Sequence, residues 1–226
     1  MIYFVTGTDT DAGKTVVTAG LLAAAGSGSL GLKPIAAGCE ATAAGLRNSD
    51  ALSLQAASGI KLPYEQVNPI AYQPAIAPHI AAQAEPEPLT VARLTPLLPT
   101  AAMAQASLCL VEGAGGWRLP LNHQQTMPQW VAQQRWPVIL VVGMKLGCLN
   151  HALLTAEAIR HDGLQLVGWI ANRVDADMSC YQQNLETLQA MLAAPMLAEV
   201  PFLADVNEAA QHLTAAAQRL QTKSLN

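Results

Sequence analysis

The amino-acid sequence predicts an α/β fold in which a parallel β-sheet is covered by helices on both faces. Apolar runs of strand length alternate with helical segments, and the runs are nearly continuous in hydrophobic residues, as in strands buried on both faces. The chain has 226 residues, of which 51% are hydrophobic, enough for a substantial core. We therefore expect a single domain over residues 1–226.

The predicted elements follow from these apolar runs and from the residues that interrupt them. They are a strand at 2–6, helix 16–25, strand 30–36, helix 49–57, strand 107–111, helix 129–135, strand 137–142, helix 149–160, strand 166–171, helix 181–192, strand 196–200 and helix 208–220. The second strand should end near Pro34, because proline has no N–H for the ladder. Asn48 or Ser49 can cap the helix that follows. Residues 60–100 are rich in proline and are expected to be irregular, forming an ordered flap rather than a linker.

The segment between the first strand and the first helix has the composition of a phosphate-binding loop. Residues 7–15 read Gly-Thr-Asp-Thr-Asp-Ala-Gly-Lys-Thr and lead into a helix. Lys14 and Thr15 should lie at the start of this helix, where free N–H groups and the helix dipole favour an anion. Lys14 would reach the β- and γ-phosphates of a nucleotide, and the Thr15 hydroxyl would bind Mg²⁺. Thr8 stands where the pattern has its first glycine, with Gly7 one place earlier. The alternative is an ordinary strand-to-helix turn with an incidental lysine.

Charged residues occur near the ends of the predicted strands, where parallel sheets bind ligands. Glu112 follows the strand 107–111 and opens a glycine-rich turn over 113–116, so its carboxylate could meet a metal or simply accept N–H groups of the turn. Lys33, in an apolar strand, is costly to bury unpaired and should meet an anion at this edge. Asp50 is a second candidate ligand for Mg²⁺, or a first-turn carboxylate favoured by the helix dipole.

Two further turns carry candidate binding groups. Asn172, directly after the strand 166–171, has a donor and an acceptor that could contact a base edge, although Asn also forms ordinary turns. The turn over 143–150 lies between a buried strand and a helix and would suit a carboxylate. His151 is predicted to be a surface or helix-packed histidine rather than a base, because no acidic partner lies near it in the sequence.

Net charge and cysteine usage argue against several classes of function. The net charge is −4 and only 12% of residues are charged, so the sequence shows no basic surface for nucleic acid or a membrane. The four cysteines, Cys39, Cys109, Cys148 and Cys180, are far apart, so we expect reduced core thiols rather than a metal site or a disulfide framework. No secretory or transmembrane segment is apparent, which predicts a cytoplasmic protein.

Together these segments resemble the dethiobiotin synthetase family over nearly the full length of the chain. The matching segments are GTDTDAGKT at 7–15, GLKP at 31–34, GLRNSDAL at 45–52, PHI at 78–80, LVEGAGGW at 110–117, PVILVVG at 137–143, KLGCLNHALLT at 145–155 and GWIAN at 168–172. The first alone indicates only a broad class of nucleoside triphosphatases, whereas the set is specific. The displaced first glycine of the loop is similar to this family's own variant.

The resemblance implies a P-loop NTPase-like sheet and an ATP-dependent ligase reaction with Mg²⁺ as the metal cofactor. In the family, 7,8-diaminononanoate, CO₂ and ATP give dethiobiotin, ADP and phosphate through a carbamate and a carbamic-phosphoric anhydride. The resemblance also implies a homodimer, in which a site for the substrate carboxylate at 147–150 is completed across the interface.

The resemblance further implies roles for individual residues. Lys33 aligns with the family's catalytic lysine, and Lys14 would neutralise charge beside it. The metal ligands would be Thr15, Asp50 and Glu112. The residues around ATP would be Asp11, Ala12, Gly13, Lys14, Thr15, Val16, Asp50, Glu112, Gly113, Ala114, Gly115, Asn172, Arg173, Pro201, Phe202, Leu203 and Glu208. Those around the diamine and its carboxylate would be Thr10, Lys33, Ala37, Gly147, Cys148, Leu149 and Asn150.

Two positions depart from the family pattern. Ala37 stands where the family commonly has a Ser or Thr that contacts the diamine. Tyr181 lies about one helical turn earlier than the family's tyrosine, with Asn184 in its place. Both departures concern the diamine rather than the reaction with ATP.

Two other classes of protein share this kind of loop. Switch and partitioning ATPases resemble one another in a signature lysine five residues before the loop lysine, and this chain has Asp9 there, which counts against that class. Amidoligases of cobalamin synthesis usually carry a glutamine-hydrolysing domain, for which this chain leaves no room and shows no Cys-His constellation.

Overall fold

The computed structural model, which describes residues 1–222, contains a main sheet of six strands. The strands are β1 (Ile2–Gly7), β2 (Ser29–Leu32), β3 (Ile35–Ala37), β4 (Glu40–Thr42), β5 (Gly45–Arg47), β6 (Ile70–Tyr72), β7 (Leu108–Gly116), β8 (Val138–Met144), β9 (Leu166–Arg173) and β10 (Met196–Val200). The helices are α1 (Lys14–Ala25), α2 (Ser49–Ala57), α3 (Tyr64–Val67), α4 (Pro78–Ala81), α5 (Val91–Leu94), α6 (Thr100–Gln105), α7 (Met127–Gln134), α8 (Cys148–His161), α9 (Tyr181–Met191) and α10 (Ala209–Thr222). The main sheet has the order β10-β9-β8-β1-β7-β2, and its neighbouring strands are parallel. The predicted parallel α/β architecture is confirmed.

Helices cover both faces of the sheet because successive side chains of a strand point to opposite sides. Tyr3 is buried in a cluster that contains Leu21 of α1 and Leu213 of α10. The next residue, Phe4, is buried in a second cluster with Trp130 of α7. Since all six strands run the same way, the loops that follow them meet at one edge of the sheet.

The second predicted strand, 30–36, is divided in two by the structure. β2 ends at Leu32 and pairs with β7, whereas β3 begins at Ile35 and pairs with β6 in a separate small sheet. At the break, the Lys33 N–H donates to the Val67 carbonyl oxygen at 2.9 Å, and the Lys33 carbonyl accepts from Asn68 Nδ2 at 2.6 Å. These contacts carry the backbone out of the main sheet and leave the Lys33 side chain at its edge.

The prediction that residues 60–100 are irregular was wrong. This stretch contains α3, β6, α4 and α5, none of which is longer than four residues. Elements this short do not display a hydrophobic period that could reveal them in the sequence. Leu89 and Leu94 are nonetheless fully buried in the same cluster as Phe4, so the segment is part of the core.

The prediction that the strand at 107–111 ends before Glu112 was also wrong. β7 continues to Gly116, and Glu112 lies inside it, paired with Val5 of β1. A glycine is needed next, because a Cβ at Gly113 would come within 2.8 Å of Phe4 Cζ. The carboxylate of Glu112 is therefore held by a buried strand rather than by a turn.

The other predicted elements are present, and their ends lie within two residues of those predicted. Glu208 is in a short 3₁₀ turn, Val206–Glu208, and the last helix begins after it. Cys39, Cys109 and Cys148 are buried free thiols, but Cys180 is exposed and is not a core residue. Among residues 1–222, the helices are too short or too polar to cross a membrane.

Candidate nucleotide-binding active site

A cleft of about 780 Å³ lies beyond the carboxyl ends of β1, β2 and β7. Its polar lining residues are Thr10, Asp11, Lys14, Thr15, Lys33, Asn48 and Asp50. Its apolar lining, called the apolar wall below, includes Ala36, Ala37, Ile76, Pro78 and Leu119. Charge and an apolar wall in one cavity suit a ligand with both an ionic and an aliphatic part.

The phosphate loop is closed by a glycine in the left-handed conformation. Gly13 has φ 76° and precedes α1, so Lys14 and Thr15 begin the helix as predicted. A Cβ at Gly13 would lie only 2.0 Å from Asn172 Nδ2. Asn172, at the end of β9, donates through that same Nδ2 to the Ala12 carbonyl oxygen at 3.0 Å. The amide therefore packs on the back of the loop.

Lys14 is buried at 4% exposure, and its ammonium curls back over the loop. Nζ donates to the carbonyl oxygens of Asp9 at 2.9 Å and Thr10 at 3.1 Å. Burial, with the nearby positive charge of Lys33, lowers the pKa of Lys14 to about 8, although neighbouring carboxylates partly oppose this. A phosphate group would relieve both effects, since it brings negative charge to the ammonium.

Lys33 connects the two acidic residues that the sequence placed in the site. Its Nζ lies 2.6 Å from Glu112 Oε1, 3.1 Å from Asp50 Oδ2 and 3.2 Å from the Gly113 carbonyl oxygen. Glu112 Oε1 also accepts from Thr15 Oγ1 at 2.9 Å, which links this cluster to the start of α1. Lys33 and Thr15 thus meet at one carboxylate oxygen of Glu112, and Asp50 joins the cluster through Lys33 Nζ.

The charge of Lys33 is maintained despite its burial. Burial alone disfavours an ammonium, but the carboxylates of Glu112 and Asp50 outweigh it, so the pKa of Lys33 is raised above its usual value. Lys33 is 3% exposed and Glu112 is fully buried. A well-packed apolar pair is often no less stable than a buried charge pair, so stability alone does not account for Lys33 and Glu112.

The oxygen donors of this cluster suit a hard divalent cation. Glu112 Oε2 is buried and has no hydrogen-bond partner within residues 1–222. The Thr15 hydroxyl donates to the other oxygen of this carboxylate, Oε1. The Asp50 carboxylate contacts Lys33 Nζ, which also contacts Oε1. Mg²⁺ commonly binds one or two carboxylates and completes its shell with water and substrate phosphates, so two acidic residues are sufficient. The residues present fit this metal.

Several predicted site residues lie outside the cleft in the described part of the chain. Gly147, Cys148, Leu149 and Asn150 form the start of α8 and do not line it. Arg173 directs its guanidinium to the Ala176 carbonyl oxygen at 2.6 Å and over the ring of Tyr181 at 4.7 Å.

The loop after β10 also lies outside this cleft. Pro201 and Leu203 are half-buried and Phe202 and Glu208 are exposed. The residues predicted around the nucleoside are therefore at the same edge of the sheet, but the structure does not gather them in one cavity with Lys14.

The sequence predictions named Ala37 but missed the rest of the apolar wall. Ala75, Ile76, Ala77 and Pro78 belong to the segment predicted to be irregular, and they line the same cleft as the charged cluster. Ile76 is 48% exposed, which is unusual for its residue type. The signal available in the sequence was the apolar content of this proline-rich stretch.

Comparison with known proteins identifies the family. The chain matches the family model described as an AAA domain over residues 2–210. It is 56% identical over 216 residues to the ATP-dependent dethiobiotin synthetase BioD of Cellvibrio japonicus, which covers 93% of this chain and 94% of the relative. The chain belongs to the ATP-dependent dethiobiotin synthetase family. The relative of the same name from Aeromonas hydrophila is 53% identical, with 92% of this chain and 93% of the relative covered.

The fold of this dethiobiotin synthetase family member is shared with more distant proteins. It is similar to a chain of the MinC:MinD cell division protein complex of Aquifex aeolicus, with a TM-score of 0.60, 15% identity and coverage of 100% of this chain and 97% of the other. A ParA family ATPase of Chlorobium tepidum gives a TM-score of 0.56 at 15% identity, with 99% and 93% covered. The likeness confirms the predicted P-loop NTPase-like sheet, and at this identity it extends to the fold alone.

Proposed function

We propose that this protein is a ligase that forms the ureido ring of dethiobiotin from 7,8-diaminononanoate, CO₂ and ATP. The observation that carries the proposal is the position of Lys33, which is buried, charged and held by Glu112 and Asp50 in the same cleft as the phosphate loop. Identity of 50–56% to several dethiobiotin synthetases over about nine-tenths of the chain supports it.

The reaction has three steps. One amine of the substrate attacks CO₂ and loses a proton, forming a carbamate. A carbamate oxygen then attacks the γ-phosphorus of ATP, and ADP departs. The second amine attacks the carbamate carbon, and phosphate leaves as the ring closes. Phosphorylation converts a poor leaving oxygen into a good one, so the site chiefly needs to position reactants and to neutralise charge.

The residues of the cleft can meet both needs. Lys14 would face the β- and γ-phosphates once it leaves the carbonyl oxygens of the loop, and Lys33 would offset charge on the carbamate and the transferred phosphoryl group. The apolar wall that includes Ala37 and Ile76 can accept the aliphatic chain of the diamine.

Thr15, Asp50 and Glu112 would hold Mg²⁺, on the fit described above. When bound, Mg²⁺ screens the charge of the phosphates and orients them. Glu112 would offer Oε2, which has no hydrogen-bond partner in the described residues, while Oε1 keeps its contact with Lys33.

The nucleoside and the substrate carboxylate are assigned to the neighbouring loops. Asn172, Arg173, residues 201–203 and Glu208 would surround the nucleoside, since they follow β9 and β10 at the same edge of the sheet. The start of α8 at 147–150 would bind the carboxylate. Residues 147–150 do not line the cleft of one chain, and in a homodimer of the kind that the family resemblance implies the partner would complete their site.

Incubation with the diamine, bicarbonate, Mg²⁺ and ATP tests the proposal, with dethiobiotin and ADP measured by mass spectrometry. Omitting the diamine is the control, and both products should then be absent. Hydrolysis of ATP at the same rate with and without the diamine, with no dethiobiotin formed, would favour a switch-type ATPase instead. Light scattering of the purified protein tests the homodimer separately.

A further inference from the structure

Asp9 and Lys145 form an ion pair, and none of the residue roles proposed above involves it. Lys145 Nζ lies 2.7 Å from Asp9 Oδ2, which joins the loop after β1 to the turn between β8 and α8. Both side chains are partly buried, with 29% of Asp9 and 35% of Lys145 exposed. Asp9 Oδ1 is buried and has no hydrogen-bond partner in the described part of the chain.

A carboxylate at this position is unfavourable for a loop that holds a triphosphate. Two negative charges repel one another strongly where protein displaces water. Asp9 is also close to the loop lysine, because Lys14 Nζ donates to the Asp9 carbonyl oxygen at 2.9 Å. Without a cation of its own, the Asp9 carboxylate would compete with the phosphates for Lys14.

The same ion pair spans two segments that are already hydrogen-bonded. The Thr8 N–H donates to the Val141 carbonyl oxygen at 3.0 Å, and Thr8 Oγ1 accepts from the Gly143 N–H at 3.2 Å. The backbone of Lys145 is fixed in turn, because its carbonyl oxygen accepts from the Cys148 N–H at 3.0 Å. Backbone hydrogen bonds thus hold both segments in place, and the ammonium of Lys145 lies next to Asp9.

We propose that Lys145 is a positioning residue that neutralises Asp9 and thereby keeps Lys14 available for the triphosphate. The proposal rests on the use of ATP by this site, but not on ring closure. It explains how the loop tolerates an acidic residue five places before its lysine.

Four proteins test the pair by isothermal titration calorimetry of ATP with Mg²⁺ in the absence of the diamine. They are the unaltered protein, Lys145→Ala, the double variant Asp9→Asn with Lys145→Ala, and Lys61→Ala. Lys61 is an exposed lysine whose Nζ contacts carbonyl oxygens, at 2.9 Å for Ala56 and 3.5 Å for Gln55. Lys61→Ala changes the net charge by the same amount as Lys145→Ala, but it leaves no carboxylate unpaired. Melting temperatures are measured in parallel.

We expect Lys145→Ala to weaken ATP binding by about tenfold, since a partly buried carboxylate is left without its partner. The double variant should return to within about twofold of the unaltered protein, because the offending charge is gone. Equal affinities for Lys145→Ala and Lys61→Ala, or a double variant as weak as the single one, would overturn the proposal.

If Lys145→Ala does not fold, Lys145→Met retains the length of the side chain and is measured with its own Asp9→Asn partner. If Lys145 had a purely structural role, its replacement would lower the melting temperature, and adding Asp9→Asn would not restore ATP affinity. Because ATP binding is read without the diamine, failure of dethiobiotin formation leaves this test unaffected.

Discussion

Lys33 Nζ lies 2.6 Å from Glu112 Oε1, and each of these buried side chains makes the burial of the other tolerable. Lys33 comes from the break between β2 and β3, and Glu112 from the interior of β7. The fully buried carboxylate would be costly without a cation, and the ammonium would be costly without an anion. The pair therefore holds the ammonium of Lys33 at a fixed point in the same cleft as the phosphate loop.

Replacing Lys33 by Ala should reduce kcat far more than it changes ATP affinity. The lysine would contact the reacting groups, whereas ATP retains the loop and Lys14, and loss of one such charge costs about 10²–10³ in kcat. Steady-state dethiobiotin formation and ATP calorimetry measure the two effects. Lys61→Ala is the control for loss of a lysine. Unchanged turnover would remove Lys33 from the mechanism, and a lower melting temperature is expected because Glu112 loses its partner.

The sequence predicts the main sheet well because its strands are buried on both faces. β1, β8, β9 and β10 are apolar runs that need no distant contact to be recognised, and each follows its prediction within two residues. The segment 60–100 was not predictable in this way, because elements of three or four residues are stabilised by the core they join and not by their own pattern.

The candidate site likewise has some features that the sequence predicts and others that it does not. Lys14 and Thr15 could be placed at the start of α1 from local pattern, and the structure puts them there. The contact between Lys33 and Glu112 joins residues 79 positions apart. The sequence therefore identifies two charged residues near apolar strands, but it does not predict that they contact each other. The pairing of Asp9 with Lys145 has no local signal, since the two residues are far apart in the sequence and no pattern around either one indicates the other.

Replacing Glu112 by Gln should raise the Mg²⁺ concentration needed for half-maximal activity by about tenfold to a hundredfold. Gln preserves the volume and can accept from Thr15 Oγ1, but it removes the charge that a divalent cation requires. Initial rates over a Mg²⁺ titration at fixed ATP provide the measurement. Glu65→Gln is the matched control, since Glu65 is an exposed partner of Arg47. An unchanged Mg²⁺ requirement would exclude Glu112 as a ligand.

Affinity for ATP should fall as the pH rises above about 8. Burial, with the charge of Lys33, lowers the pKa of Lys14 to about 8, so the free protein loses this positive charge above that pH. ATP favours the charged form, hence binding takes up a proton and weakens by up to about tenfold per pH unit. Calorimetry from pH 7 to 9.5 in two buffers of different ionisation enthalpy measures affinity and proton uptake. Affinity that is constant across this range would contradict the shift.

Replacing Ala37 by Ser should lower the KM for the diamine by about twofold to fivefold, the effect of one added hydrogen bond. Ala37 lines the cleft and occupies the place where the family commonly has a hydroxyl residue. The KM for ATP should not change, because the phosphate loop is separate. Ala44→Ser, in the exposed turn between β4 and β5, is the control. Equal KM values for the diamine in both variants would show that another group makes this contact.

Two glycines with a left-handed φ separate backbone strain from side-chain contact. Gly13 has φ 76° and Gly163, at the C-terminal cap of α8, has φ 75°, so an Ala at either position carries a backbone penalty of about 1 kcal/mol. A Cβ at Gly163 meets nothing within 4 Å, whereas at Gly13 it would lie 2.0 Å from Asn172 Nδ2. The Asn172 side chain could move away from this Cβ only by breaking its hydrogen bond to the Ala12 carbonyl oxygen.

Gly13→Ala should therefore lose ATP binding by about a hundredfold or more, while Gly163→Ala should bind ATP normally and be only slightly less stable. Denaturant unfolding and ATP calorimetry on both variants provide the comparison. Removing the side chain of Asn172 in the double variant with Gly13→Ala should recover part of the binding, because the clash disappears. If both glycine variants bind ATP equally well, the contact between the loop and β9 has no part in shaping the phosphate site.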